Sequence, residues 1–177
     1  MTMIKQLTTR TGFAAGAVIC AALLGFGYYL QYVQGLNPCP LCYVQRYFFI
    51  AVMAIFVLGA IHGPRRAGAL AYGVLAALFA AGGAAAASRQ VWLQHLPADK
   101  VPQCGPDLHF MLKNFPLSDT LAKLVQGSGE CAAVDWKFLG LSIAGWALVW
   151  FVALAVYALW LGIRRAPTSA AAAAASR

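Results

Sequence analysis

The run from Gly12 to Val33 reads GFAAGAVICAALLGFGYYLQYV, 22 residues without a charge, preceded by Lys5 and Arg10. At about 1.5 Å per residue a helix of that length crosses the roughly 30 Å hydrocarbon layer of a bilayer. Three further runs share its character. They are Tyr43 to Ile61, closed by His62-Gly63-Pro64-Arg65-Arg66; Gly68 to Ala87; and Phe138 to Ile163, followed by Arg164 and Arg165. A composition of 62% hydrophobic and 10% charged residues, with mean hydropathy +0.71, fits a membrane protein and no ordinary soluble domain. The expected fold is all-α: an integral membrane four-helix bundle forming one domain over residues 1–165, with spans near 12–33, 43–61, 68–87 and 138–163. Residues 166–177 form a low-complexity, alanine-rich tail. The first run is longer than a signal-peptide core of roughly 7 to 15 residues and no A-x-A-like site follows it, so it is read as a retained span.

Charge sets the orientation. Lys5, Arg10, Arg65, Arg66, Arg164, Arg165 and Arg177 fall on the side that holds both termini, and that side carries no acid. By the positive-inside rule it is cytoplasmic, which puts both termini and the tail in the cytoplasm. All five acids, Asp99, Asp107, Asp119, Glu130 and Asp135, lie between Ser88 and Lys137, balanced there by five basic residues. The formal charge of +8 is therefore topological and calls for no nucleic acid. Two segments face outward, a short loop at 34–42 and a long loop at 88–137 between the third and fourth helices. Within the long loop Leu108, Met111, Leu112 and Phe115 recur at helical spacing, so a short amphipathic helix ended by Pro116 is expected there.

Four of the five cysteines, Cys39, Cys42, Cys104 and Cys131, sit in those outward loops, which places them in an oxidising compartment. Cys20 lies inside the first span and reads as helix packing. Four cysteines permit three pairings; the C-x-x-C pair Cys39–Cys42 closes most easily, which leaves Cys104–Cys131. Cys39-Pro40-Leu41-Cys42 opens the second helix, with Pro40 near the first helical position, where its missing N–H is tolerated. Cys42 then sits in the first turn, where free N–H groups and the helix dipole favour a thiolate. Arg46 follows at i+4, a cation on the same face and on the side where the positive-inside rule asks for none. A structural staple needs no thiolate stabiliser, whereas a disulfide that exchanges does.

The second pair has other surroundings. Cys104 lies in Val101-Pro102-Gln103-Cys104-Gly105-Pro106, which resists regular structure, and Cys131 follows Gly127-Ser128-Gly129. Both sulfurs are expected in accessible loops suited to exchange. Zinc is set aside: one C-x-x-C and two lone cysteines match no standard zinc spacing, and His95 and His109 read as solvated loop residues.

With Cys39-Pro-Leu-Cys42-Tyr-Val-Gln-Arg46 opening the second helix, Cys104 and Gly129-Glu130-Cys131 in the loop before the fourth, Arg89-Gln90-Val91-Trp92-Leu93-Gln94 after the third and Trp136-Lys137-Phe138-Leu139-Gly140-Leu141 entering the fourth, the chain resembles the disulfide bond formation protein B (DsbB) family. The resemblance implies a quinone-dependent thiol oxidoreductase that reoxidises a periplasmic DsbA-type thiol oxidase and passes two electrons to a membrane quinone, ubiquinone or menaquinone. It implies that Cys104 is attacked by the partner's thiolate, that Cys131 leaves and can attack Cys39, and that Cys42 is released beside the quinone with Arg46 stabilising its charge. It also implies a quinone pocket that draws on Arg89 and Gln90, where a version of the family carries a histidine. Two other readings compete: a membrane scaffold with structural disulfides, and a vitamin K epoxide reductase-like enzyme. The latter expects its C-x-x-C late in the chain.

The orientation is checked by reporter fusions, which should mark Lys100 as outside and Arg65 as inside. A membrane-impermeant thiol reagent should reach Cys104 in reduced intact cells; failure to do so overturns both the topology and the redox compartment.

Overall fold

In the computed structural model the described residues are 2–101, 113–116, 119, 129–134 and 136–164. They contain four long α-helices: α1 (Thr2–Tyr32), α2 (Pro40–His62), α3 (Arg66–Gln94) and α4 (Ile143–Ile163). Within these, Thr9–Tyr32, Pro40–His62, Ala67–Gln94 and Ile143–Ile163 are long and apolar enough to cross a membrane. Helices suit that setting because they satisfy every backbone polar group internally.

The helix ends differ most from the hydropathy boundaries in three places. Helix α1 begins at Thr2, well before Gly12. Helix α3 runs past Ala87 to Gln94, so Arg89, Gln90 and Trp92 lie on a helix and not in a loop. Apolarity ends where the bilayer ends, but the helix continues because arginine and glutamine are good helix formers and no breaker stands before Pro97. Helix α4 begins at Ile143, after a short antiparallel ladder of β1 (Lys137–Phe138) and β2 (Leu141–Ser142) in which Lys137 pairs with Ser142 and Phe138 with Leu141. The two turn residues, Leu139 at φ +51° and Gly140 at φ +81°, both occupy the left-handed region that a tight two-residue hairpin requires. Ser142 then caps α4, its Oγ accepting from Gly145 N at 3.2 Å. Of the amphipathic helix expected to end at Phe115, Lys113 and Asn114 are helical, and Leu108 to Leu112 lie outside the described residues.

Tertiary contacts divide the chain into two compact units, each drawing on all four helices. The first comprises Met1–Gly25, Phe49–Ala81 and Val152–Arg177. Its interior is aromatic. Phe13 and Phe56 pack with ring centroids 6.1 Å apart, Tyr157 meets Phe56 edge-on at 6.2 Å, and the Tyr157 hydroxyl donates to Gly12 O at 2.9 Å. Cys20 is fully buried in the same unit. Helices α3 and α4 approach closely there, so that a Cβ added at Gly73 would stand 2.6 Å from Ala158 O and 3.2 Å from Gly162 Cα. Small residues of this kind let membrane helices pack backbone to backbone.

The second unit comprises Phe26–Phe48 and Gly82–Phe151. Trp136 and Phe138 stack at 6.0 Å, Phe26 meets Trp136 edge-on at 6.0 Å, and Trp146 Nε1 donates to Phe138 O at 3.0 Å. Ser142 Oγ also donates to Gln94 Oε1 at 2.7 Å, tying the hairpin to the end of α3.

Gly73→Ala should lower stability by about 1–3 kcal/mol, because the neighbouring carbonyl is backbone and cannot move aside like a side chain. Gly25→Ala, whose Cβ would meet nothing within 4 Å, should be neutral or raise stability by up to about 1 kcal/mol through helix propensity. Thermal unfolding of the two proteins in detergent separates these outcomes.

Candidate active site

Helix α2 starts where a proline can start one. The Cys39 carbonyl accepts from Cys42 N at 3.0 Å and from Tyr43 N at 3.3 Å, and Pro40, with no N–H to satisfy, is the first helical residue. One turn of helix brings the two cysteines together, their Sγ atoms 3.0 Å apart as thiols in contact. A disulfide needs about 2.05 Å, so a small motion closes the pair.

The third sulfur is Cys131. It sits in a single 3-10 turn, Gly129–Cys131, closed by a bond from Ala132 N to Gly129 O of 3.1 Å. Far from lying open in its loop, Cys131 is fully buried, packed with Cys39, Leu41 and Leu93 and flanked by Cys42, Leu96 and Ala132. The expectation of an accessible sulfur here is corrected: an apolar patch made by the start of α2 and the end of α3 encloses it. Contacts with the Cys131 and Cys42 sulfurs, together with burial, hold the Cys39 thiol well above the usual thiol range. Cys104 lies outside the described residues, and so does the expected Cys104–Cys131 pairing.

Polar contact to this cluster comes from α3. Gln90, buried at 4% exposure, donates from Nε2 to Cys39 Sγ and to Cys42 Sγ, each at 3.3 Å. Its Oε1 accepts from Gln45 Nε2 at 2.7 Å. Gln45 is equally buried and went unremarked in the sequence. The signal was there, an amide three residues after Cys42 and beside Arg46, in a run that is apolar apart from these two. Arg89, one position earlier on α3, turns another way and lays its guanidinium over the Trp92 ring, 4.2 Å from the centroid.

Arg46 is held by α1. Its guanidinium donates to Gln31 Oε1 and, at 3.1 Å, to Gly27 O, and it lies over the rings of Tyr28 and Tyr43 at 4.9 and 5.7 Å. Gln90 is thus hydrogen-bonded to both paired sulfurs, while Arg46 supplies a charge at the same end of α2. Three sulfurs in contact, one amide donor and one fixed cation make an arrangement suited to thiol–disulfide exchange.

Comparison with known proteins points to the same chemistry. The family described as "Disulfide bond formation protein DsbB" matches residues 9–161. The chain belongs to that family. It is similar to the disulfide bond formation protein B of Hahella chejuensis, 47% identical over 92% of this chain and 99% of the relative. It is likewise similar to those of Methylococcus capsulatus, 48% identical over 86% of this chain and 93% of the relative, and of an Azoarcus species, 50% identical over 86% and 91%. This DsbB-family chain is thus a four-helix membrane bundle, a multi-pass bacterial membrane protein and a disulfide oxidoreductase.

Within the reduced pair the two thiols should react unequally. Cys39 is the more buried, and its contacts with two sulfurs together with that burial raise its thiol pKa and disfavour the thiolate. Iodoacetamide labelling resolved by peptide mass should modify Cys42 at least about tenfold faster than Cys39. Equal rates would show that the burial and sulfur contacts of Cys39 do not govern its reactivity.

Proposed function

We propose that this protein reoxidises a periplasmic thiol oxidase of the DsbA type and delivers the two electrons to a membrane quinone, from the inner membrane, with its sulfurs facing the periplasm and both termini in the cytoplasm. The observation that carries this reading is the burial of Cys131 directly on Cys39, which brings a sulfur of the long loop onto the C-x-x-C pair. A scaffold with two separate staples has no use for that contact.

The exchange runs through named sulfurs. A partner thiolate attacks Cys104 Sγ, the Cys104–Cys131 bond breaks, and Cys131 leaves as a thiolate. Cys131 attacks Cys39 Sγ, breaking Cys39–Cys42 and releasing Cys42. The partner's second thiol, on losing its proton, closes the partner's own disulfide and releases Cys104. The partner has then lost two electrons, and the chain holds a Cys39–Cys131 bond with Cys42 and Cys104 reduced. Attack of Cys104 on Cys131 restores the loop disulfide and returns Cys39 to its place beside Cys42.

The donor set fits a quinone: the Gln90 amide and the Arg46 guanidinium can donate to a carbonyl oxygen, Cys42 offers the reducing sulfur, and the apolar start of a span suits a lipophilic ring. Cys42, Arg46 and Gln90 would hold it; Arg89, stacked on Trp92, would border it. Bound there, a quinone would supply the acceptor for the two electrons and two protons that Cys39 and Cys42 give up on reclosing. The residues act before and around that event: Gln90 faces both sulfurs, and Arg46 favours the anionic form of Cys42.

The test uses serine variants of the full-length protein in membranes with a reduced DsbA-type partner. Cys104→Ser should give no mixed disulfide, because the electrophilic sulfur is gone. Cys131→Ser, offering Cys104 without its intramolecular partner, should accumulate one on mild oxidation. Organic extraction of the purified protein should release a quinone. An adduct that forms through Cys39 in otherwise intact protein reverses the proposed order, and turnover unaffected by Cys39→Ser removes it.

A further inference from the structure

The end of α3 presents its amide to two sulfurs, and an amide can do so in two ways with opposite effects. With Nε2 toward a sulfur it donates to a thiolate; with Oε1 toward the sulfur it accepts from a thiol and opposes ionisation. Both alternatives lie within reach in this site, since Gln90 Oε1 stands 3.6 Å from Cys42 Sγ while Nε2 stands 3.3 Å from it. What distinguishes them is Gln45. Its Nε2 donates to Gln90 Oε1 at 2.7 Å, the shorter contact by far, and this engages the oxygen and leaves the NH2 group for Cys39 and Cys42.

We propose that Gln45 is a positioning residue for the thiol oxidation: by holding Gln90 Oε1 it fixes the Gln90 amide with its NH2 toward the paired sulfurs, so that Cys42 is met by a donor when it is released. The inference deepens the proposed function and rests on it for its catalytic meaning, but the contact itself concerns only this chain. Gln45 and Gln90 come from different helices, α2 and α3, and both are buried, so water cannot readily take either one's place. Cys42 and Gln45 are three residues apart on α2, so a single helix turn carries both the sulfur and the group that orients its donor.

The test needs neither quinone nor partner. The full-length protein is reduced, reconstituted in lipid nanodiscs, and the rate of Cys42 alkylation by iodoacetamide is followed by peptide mass at one fixed, mildly alkaline pH. Gln45→Met keeps the side chain's length and removes its donor, and the rate should fall about tenfold, the size of one charge-assisted hydrogen bond lost. Gln90→Met should fall at least as far. The decisive arm is the double variant, which should match Gln90→Met alone, since a residue that acts only through Gln90 has nothing to orient once Gln90 is gone.

Should the methionine protein not fold, Gln45→Asn, which keeps an amide but draws its NH2 back by one methylene, should show the same loss. A rate unchanged or increased in Gln45→Met overturns the proposal, an increase meaning that Oε1 faces the sulfurs in the parent protein. Additive losses in the double variant also overturn it, because they mark a structural role in packing. Absent quinone turnover with an intact alkylation cycle would count against the proposed function while leaving the Gln45 assignment in place.

Discussion

The Cys39 carbonyl, accepting from the N–H groups of Cys42 and Tyr43, is the point on which the site depends. It ends the preceding loop and starts α2 in the same residue, and Pro40 makes the start sharp because it contributes no N–H of its own. Everything chemical on α2 follows from that register. Cys42 lies in the first turn beside Cys39, Gln45 lies one turn on and faces α3, and Arg46 reaches back to α1. Were the helix to begin one residue later, each of these side chains would swing by about 100° and the sulfur pair would lose its amide.

Much of this was legible in the sequence. Four apolar runs gave the helices because hydrophobic length is what a bilayer selects, and the proline between the cysteines marked the start of α2 because its backbone has few other uses there. The legible part stopped where polarity ceases to report structure. Arg89 and Gln90 read as loop because they are polar, yet α3 carries them onward, and it places one against the sulfurs and the other on Trp92. Hydropathy cannot divide two adjacent polar residues between opposite tasks; only the angle between successive helical positions does that. The hairpin at Lys137–Ser142 escaped for a related reason. Phe138, Leu139 and Leu141 continue the apolar run into α4, and only the left-handed backbone at Leu139 and Gly140 separates them from it.

Cys131 is the most instructive case. Gly127-Ser128-Gly129 and the acidic Glu130 precede it, and local composition therefore argues for an open loop. Its burial is tertiary: Leu41 and Leu93, from different helices and far apart in sequence, form the surface on which it rests. No local rule anticipates a contact between residues 39 and 131, because its energetic reason is the shared apolar patch and not the segment's own propensity. In the proposed exchange the consequence is a nucleophile held against Cys39 where water is excluded, so that the Cys131 thiolate stands directly on the sulfur it attacks.

The charge on Arg46 completes the electrostatic picture. Among the described residues its partners are an amide oxygen, a backbone carbonyl and two aromatic faces, all neutral. A guanidinium satisfied in this way keeps its hydrogen bonds without surrendering its charge to a carboxylate, and at the edge of a span that charge is weakly screened. A carboxylate in place of Gln31 would hold the guanidinium more tightly yet cancel its field. The neutral set does the opposite: it fixes the position of the cation and leaves its field available to the nearest anion that forms at the start of α2. In the proposed exchange that anion is Cys42, so the division of labour is between a cation that acts by its field and an amide that acts by direct contact, each oriented by a different neighbouring helix.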